Sequence, residues 1–258
     1  MIDIHTHILP GVDDGAKDLA TAVAMAREAE AEGIYAIVAT PHHRNGVYVN
    51  EREDVERAVD ELNKELRWEG INVRVLPGQE VHVYGEVVDD LRAGRLLTIG
   101  GGGKYVLLEL PHDHVPRFAD QLVYDLAVAG FVPVIPHPER NRQIREEPNH
   151  LYQLVKRGAL AQLTAASVAG LFGKEVQKLC RQLVEHQLVH LIASDAHGPG
   201  KRGVHIAEAY EVLRAWTDDE TAETFLQNAA AVVEGRDLYV PEPQKIVKRR
   251  LFGWFAKG

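Results

Sequence analysis

Seven short apolar runs punctuate this chain, each separated from the next by a stretch with helical periodicity. The runs occupy 1–4, 34–39, 73–78, 105–110, 132–135, 160–164 and 189–193. Most are almost unbroken in apolar character, the pattern of strands buried on both faces, as parallel strands are. Between them, Asp18 can cap a helix running to about residue 32, and Gly33 ends it. Val55, Val59, Leu62 and Leu66 form an apolar stripe closed by Gly70, and Leu122, Leu126 and Ala129 form another before Gly130. Further helices are expected over 149–157, 174–186, 206–216 and 219–230. Repeated strand–helix alternation implies parallel strands with right-handed crossovers. Seven units in 258 residues predict an α/β fold, a distorted (β/α)7 barrel of TIM-like type, over 1–242. The glycine run at 100–103 is expected to be a flexible turn. It is not a phosphate loop, because Tyr105 follows Lys104 where Ser or Thr is needed.

The polar residues that interrupt this pattern fall at strand ends. His5 and His7 follow the first run, His42 the second and Glu80 the third. Glu109 ends the fourth, His137 follows the fifth, and Asp195 and His197 follow the seventh. Ends of parallel barrel strands converge on one face, where active sites are built. Side chains two apart leave a strand in the same direction, so His5 and His7 can reach one ion. Asp195 and His197 can do the same from the opposite side. Glu80 can bridge two cations, and Asp14, in a Gly-Val-Asp-Asp-Gly turn, can join His42 on another. Imidazole and carboxylate without thiolate suit Mn, Zn or Fe better than a structural zinc site.

A lone histidine is more often a surface or satisfied core group. His43, His82, His112, His114, His150, His186, His190 and His205 are read that way, and Glu109 alone could be a buried partner of an arginine. Six strand ends bearing metal-competent residues are harder to dismiss as accident.

The net charge of −9 argues against a general nucleic-acid binder, which needs clustered positive charge. The single cysteine, Cys180, excludes an intrachain disulfide. It sits inside an amphipathic pattern with His186 six residues on, not the arginine of a cysteine-phosphatase loop, so a thiolate mechanism is disfavoured. The opening MIDIHTHILPGVDDG lacks the basic and apolar segments of a signal peptide. A cytoplasmic protein is expected. The tail 243–258 is basic and aromatic, with Leu251, Phe252, Trp254 and Phe255 beside lysines and arginines. It suits either peripheral contact with an anionic membrane or, slightly favoured, packing on the barrel or on a neighbouring subunit in a homo-oligomer, or disorder.

MIDIHTHILPGVDDGAKDL, ATPHH (39–43), GQEVH (78–82), LLEL (107–110), PHPERN (136–141) and ASDAH (193–197) closely resemble the PHP (polymerase and histidinol phosphatase) superfamily. The match is to its bacterial protein-tyrosine-phosphatase branch, the capsule and exopolysaccharide regulators, over roughly residues 1–235. The resemblance implies three divalent ions, commonly manganese. His5, His7, Glu80 and Asp195 would hold one, Glu80, Glu109 and His137 a second, and Asp14, His42 and His197 a third. Asp14 is chosen over Asp13 for its place before Gly15. The resemblance also implies that Arg140 and Arg202 bind phosphate. The implied reaction is hydrolysis of phosphotyrosine by cation-acidified water, with a bacterial tyrosine kinase as the substrate protein. Rival readings are a histidinol phosphatase or other small-molecule phosphomonoesterase on the same scaffold, a nuclease-like phosphodiesterase, and a binding module with structural metals.

Overall fold

The computed structural model describes residues 1–247. Among them run β1 (Ile2–Thr6), β2 (Ala36–Ala39), β3 (His42–His43), β4 (Arg74–Pro77), β5 (Glu80–His82), β6 (Tyr105–Glu109), β7 (Val132–Pro136), β8 (Leu160–Thr164) and β9 (Leu191–Ala193). Every pairing is parallel. β2 and β3 are one strand position broken at Thr40 and Pro41, and β4 and β5 are another broken at Gly78 and Gln79. Nine segments therefore fill the seven expected positions. The ring closes where β9 meets β1. Thr6 bridges Ala196 in parallel, the Asp195 N–H donates to the His5 carbonyl, and the His7 N–H donates to the Ala196 carbonyl, both at 2.9 Å.

Strand alternation sorts the side chains into two apolar layers. Ile37, Val75, Val106, Leu108, Ile135, Leu163 and Ile192 belong to the layer shared with the surrounding helices. Ile4, Val38, Tyr105, Leu107, Val134, Leu160 and Leu191 fill the barrel, and Ala229 and Val232 of the last helix, Asp219–Val233, pack with them.

The helices follow the expected stripes. Asp18 caps Leu19–Ala31 by accepting from the Thr21 N–H at 2.8 Å, and Val55, Val59, Leu62 and Leu66 of Arg52–Trp68 are buried. Helices at Ala119–Val128, Asn149–Lys156, Lys174–Glu185 and Ile206–Trp216 fall where periodicity placed them. Short helices at Val87–Arg92, Arg142–Glu146 and Ala165–Val168 are additional. The glycine run at 100–103 is less free than its composition suggests. A Cβ on Gly102 would lie 2.5 Å from the Val233 carbonyl oxygen, so the run gives close backbone packing on the last helix.

Contacts with the rest of the chain continue past residue 242. The Gln244 N–H donates to the His186 carbonyl, and Ile246 exchanges two hydrogen bonds with the Asn149 side chain. The rest of the basic, aromatic tail lies outside the described residues. Among the described residues, no helix is long and apolar enough to cross a membrane.

Candidate metal centre

A bulge in β1 aims the first two histidines. Asp3 is in register with Ile37 and Thr6 with Ala39, so three steps along β1 match two along β2. Ile4 lies in the inner apolar layer, and the extra residue lets His5 and His7 face inward above it. Gly15 holds the following loop against them. The Ala16 N–H donates to the His7 carbonyl at 2.9 Å, and a Cβ on Gly15 would overlap the His7 carbonyl oxygen and Cβ. Across the mouth, His137 and Asp195 adopt left-handed backbone, φ 37° and 51°. Non-glycine residues adopt this conformation seldom and at a cost, often at functional positions.

The strand ends bring their donor atoms to one place. His5 Nε2 lies 3.3 Å from His7 Nε2 and 3.4 Å from both Glu80 Oε2 and Asp195 Oδ1. His7 Nε2 lies 3.3 Å from Glu80 Oε2 and 3.4 Å from Asp195 Oδ1. Donors so spaced surround a common point about 2 Å from each, the bond length of a divalent transition ion to nitrogen or oxygen. Beside them, His42 Nδ1 lies 3.1 Å from Glu80 Oε2 and 3.5 Å from Glu109 Oε2. Further out, Asp14 Oδ1 lies 3.5 Å from His42 Nε2 and 3.4 Å from His197 Nε2.

Three overlapping sets thus gather ligand atoms within 4.8 Å of one another: His5, His7 and Glu80; His42, Glu80 and Glu109; and His7, Asp14, His42 and His197. The grouping differs in detail from that implied by resemblance. His42 enters the second set and His7 the third, while His137 donates from Nε2 to Glu80 Oε1 at 2.8 Å. Glu109 pairs with His42 and His82 rather than with an arginine.

The residues present fit a cation. Glu80 Oε2 and His42 Nδ1 are buried and face each other at 3.1 Å without meeting hydrogen-bond geometry, although buried polar atoms are normally satisfied. Outer partners fix three rings so that Nε2 carries the lone pair. His5 Nδ1 bonds Gln162 Oε1 at 2.8 Å, His7 Nδ1 bonds Asp13 Oδ2 at 2.7 Å, and His197 Nδ1 bonds the Asp195 carbonyl at 2.8 Å. The two adjacent aspartates therefore divide the work: Asp14 faces the cluster and Asp13 orients His7.

The electrostatics also call for positive charge. Burial alone would raise the Glu80 and Asp195 carboxyls. The surrounding imidazoles, with Arg140 beside Asp195, hold both well below the usual carboxylate range. Burial opposes protonation of His42, yet the facing Glu109 and Glu80 push its pKa to about 10. In the absence of a cation, these carboxylates favour protonated imidazoles at His5, His7 and His42. An ion would replace those protons, which couples binding to proton release.

Residues 1–234 match the family described as Capsular polysaccharide synthesis, CpsB/CapC. The chain belongs to the CpsB/CapC family. It is 49% identical to the tyrosine-protein phosphatase YwqE of Bacillus subtilis (strain 168), with 99% of this chain and 100% of YwqE covered. It is 34% identical to the putative tyrosine-protein phosphatase CapC of Staphylococcus aureus, over 99% of each. A crystal structure from work on YwqE of B. subtilis and CpsB of Streptococcus pneumoniae, described as metal-dependent tyrosine phosphatases, superposes with a TM-score of 0.94 at 49% identity. It covers 96% of this chain and 100% of that one.

In this CpsB/CapC chain, both arginines singled out from sequence reach the mouth. Arg140 pairs with Asp195 Oδ2, and Arg202 Nη1 lies 3.7 Å from Asp14 Oδ2. Both line a cleft of about 360 Å³ with His112, Arg145 and Phe172. Cys180 is fully buried, and burial pushes its thiol well above the usual range. That environment disfavours a thiolate nucleophile. Sequence reasoning missed Gln162 and Asp13 as orienting partners, and His82, 3.4 Å from Glu109. Gln162 had a signal: it is the amide in the otherwise apolar strand segment LAQL.

Proposed function

We propose that this chain is a metal-dependent protein-tyrosine phosphatase. His5, His7, Asp14, His42, Glu80, Glu109, His137, Asp195 and His197 hold its divalent ions, three in number and most suitably manganese, with iron or zinc as alternatives. The observation that carries the reading is the convergence of these donors on one mouth beside a cleft lined by Arg140, Arg145 and Arg202. The names of YwqE, CapC and CpsB support phosphotyrosine as the substrate.

When bound, divalent cations acidify water toward neutral pH and offset charge on phosphoryl oxygens. The chain supplies the rest. Gln162 and Asp13 keep His5 and His7 turned into the cage. Asp195 positions Arg140 through their ion pair, and Arg140 with Arg202 neutralises the phosphoryl oxygens by charge-assisted hydrogen bonds. The tyrosine phenol, pKa about 10, departs with less need of a general acid than an alkoxide. The physiological substrate in this reading is an autophosphorylating bacterial tyrosine kinase that governs capsule or exopolysaccharide synthesis. The family description supports that context.

The test is metal analysis coupled to hydrolysis of a phosphotyrosyl peptide, before and after chelation, with histidinol phosphate turned over alongside. Chelation should abolish activity and Mn²⁺ should restore it. Full activity in cation-free protein, or preference for histidinol phosphate, would reject the reading.

A further inference from the structure

The cleft beside the mouth holds an aromatic side chain that has no part in the core. Phe172 is partly exposed and belongs to neither apolar cluster among the described residues. Its ring is flanked by cations instead. The Arg140 guanidinium lies 6.0 Å from the ring centroid and Lys201 Nζ 5.8 Å, within cation–π range. The backbone, not packing, places the ring. The Gly173 N–H donates to the Gly170 carbonyl at 3.0 Å, and both glycines take positive φ, 87° and 101°. The helix Lys174–Glu185 begins at the next residue. Those φ values favour glycine at both ends of the turn.

We infer that Phe172 is the specificity-determining wall for the aryl ring of the substrate. The inference rests on the phosphotyrosine reading and adds the residue that tells an aromatic ester from an alkyl one. Arg140 sets the spacing. It pairs with Asp195 at the edge of the cage and lies against the Phe172 ring. A phosphoryl group held by the cage and by a free N–H of Arg140 would place its leaving group in the cleft that Phe172 lines. A phenyl ring joined to phosphorus through one oxygen comes within the 4.5–7 Å centroid separation of favourable aromatic pairs. A seryl or other alkyl ester has no flat face to offer there. Arg202 lines the same cleft, and Lys201 lies over the Phe172 ring.

The experiment compares kcat/KM for a phosphotyrosyl peptide and for the same peptide carrying phosphoserine, in wild type, Phe172→Ala, Phe172→Leu and Phe172→Tyr, all loaded with Mn²⁺. Leaving-group reactivity cancels when the ratio in a variant is divided by that in wild type. Phe172→Ala and Phe172→Leu should lower the tyrosine-to-serine ratio about tenfold, and Phe172→Tyr should keep it near the wild-type value. Inhibition by inorganic phosphate, which has no ring, should keep its Ki throughout. An unchanged ratio in active variants, or an equal loss on both peptides with weaker phosphate inhibition, overturns the inference alone. A wild-type enzyme that prefers phosphoserine overturns the tyrosine-phosphatase reading and the inference with it.

Discussion

His190 at the foot of the barrel is buried and His42 at its mouth keeps only 12% of its side chain exposed, yet their pKa values move in opposite directions. His190 precedes β9, and burial alone pushes its pKa down to about 4. His42 is pushed up to about 10 by Glu109 and Glu80. Burial is therefore not what distinguishes the mouth. The difference is a set of carboxylates that the fold forces to share one volume, which must be balanced by protons or by a cation. The foot accepts an imidazole as a neutral polar group, with Nδ1 receiving the Ala161 N–H at 3.2 Å.

Four changes test this contrast, beginning with the largest expected effect. Glu80→Ala removes the carboxylate common to two of the gathered sets. It should lower kcat/KM on phosphotyrosyl peptide about 10³-fold, with ions lost by elemental analysis, since a bound cation contributes several kcal/mol to the transition state. Chelation should lower Tm by about 10 °C in calorimetry if ions bind about 1,000-fold more tightly than their working concentration requires. The foot supplies no ion site in this account, so His190→Gln should leave that shift unchanged. Gln162→Leu frees the His5 ring and should weaken metal affinity by roughly 10–100-fold in competition with a chromogenic chelator, the range for an outer-shell partner.

The last test is of pH. A histidine whose folded pKa is depressed adds stability that is present above the unfolded pKa of about 6.5 and is lost as pH falls toward about 4. In urea unfolding, His190→Gln should flatten the decline across that window by about 2–3 kcal/mol. An equally steep decline in the variant would assign acid sensitivity to the mouth.

Much of this was legible in the sequence because strand ends and helix stripes leave periodic traces. All seven strand positions and the cluster of donors at their ends could be read that way. The short β3 and β5 could not: two or three residues after a Pro or Gly break carry no period. The bulge in β1 was equally hidden, because His-x-His spacing gives a common direction without saying which. Asp13 and Gln162 hydrogen-bond the candidate ligands His7 and His5, and those contacts appear only once side chains from β8 and the first loop stand beside β1. Phe172 lies on a turn whose sequence announces glycine conformation but not the cleft it faces.

The closure between β9 and β1 has a consequence for how the molecule comes into being. Residues in the first strand meet partners 191 positions away, as Ser194 does with Asp3. The cage needs donors from both ends of that span. In the metal-dependent reading, a nascent chain that has emerged only in part is therefore expected to lack the full set of donors. Competence to act on phosphate esters arrives late in biosynthesis, when the last strand docks and the ring is zipped shut.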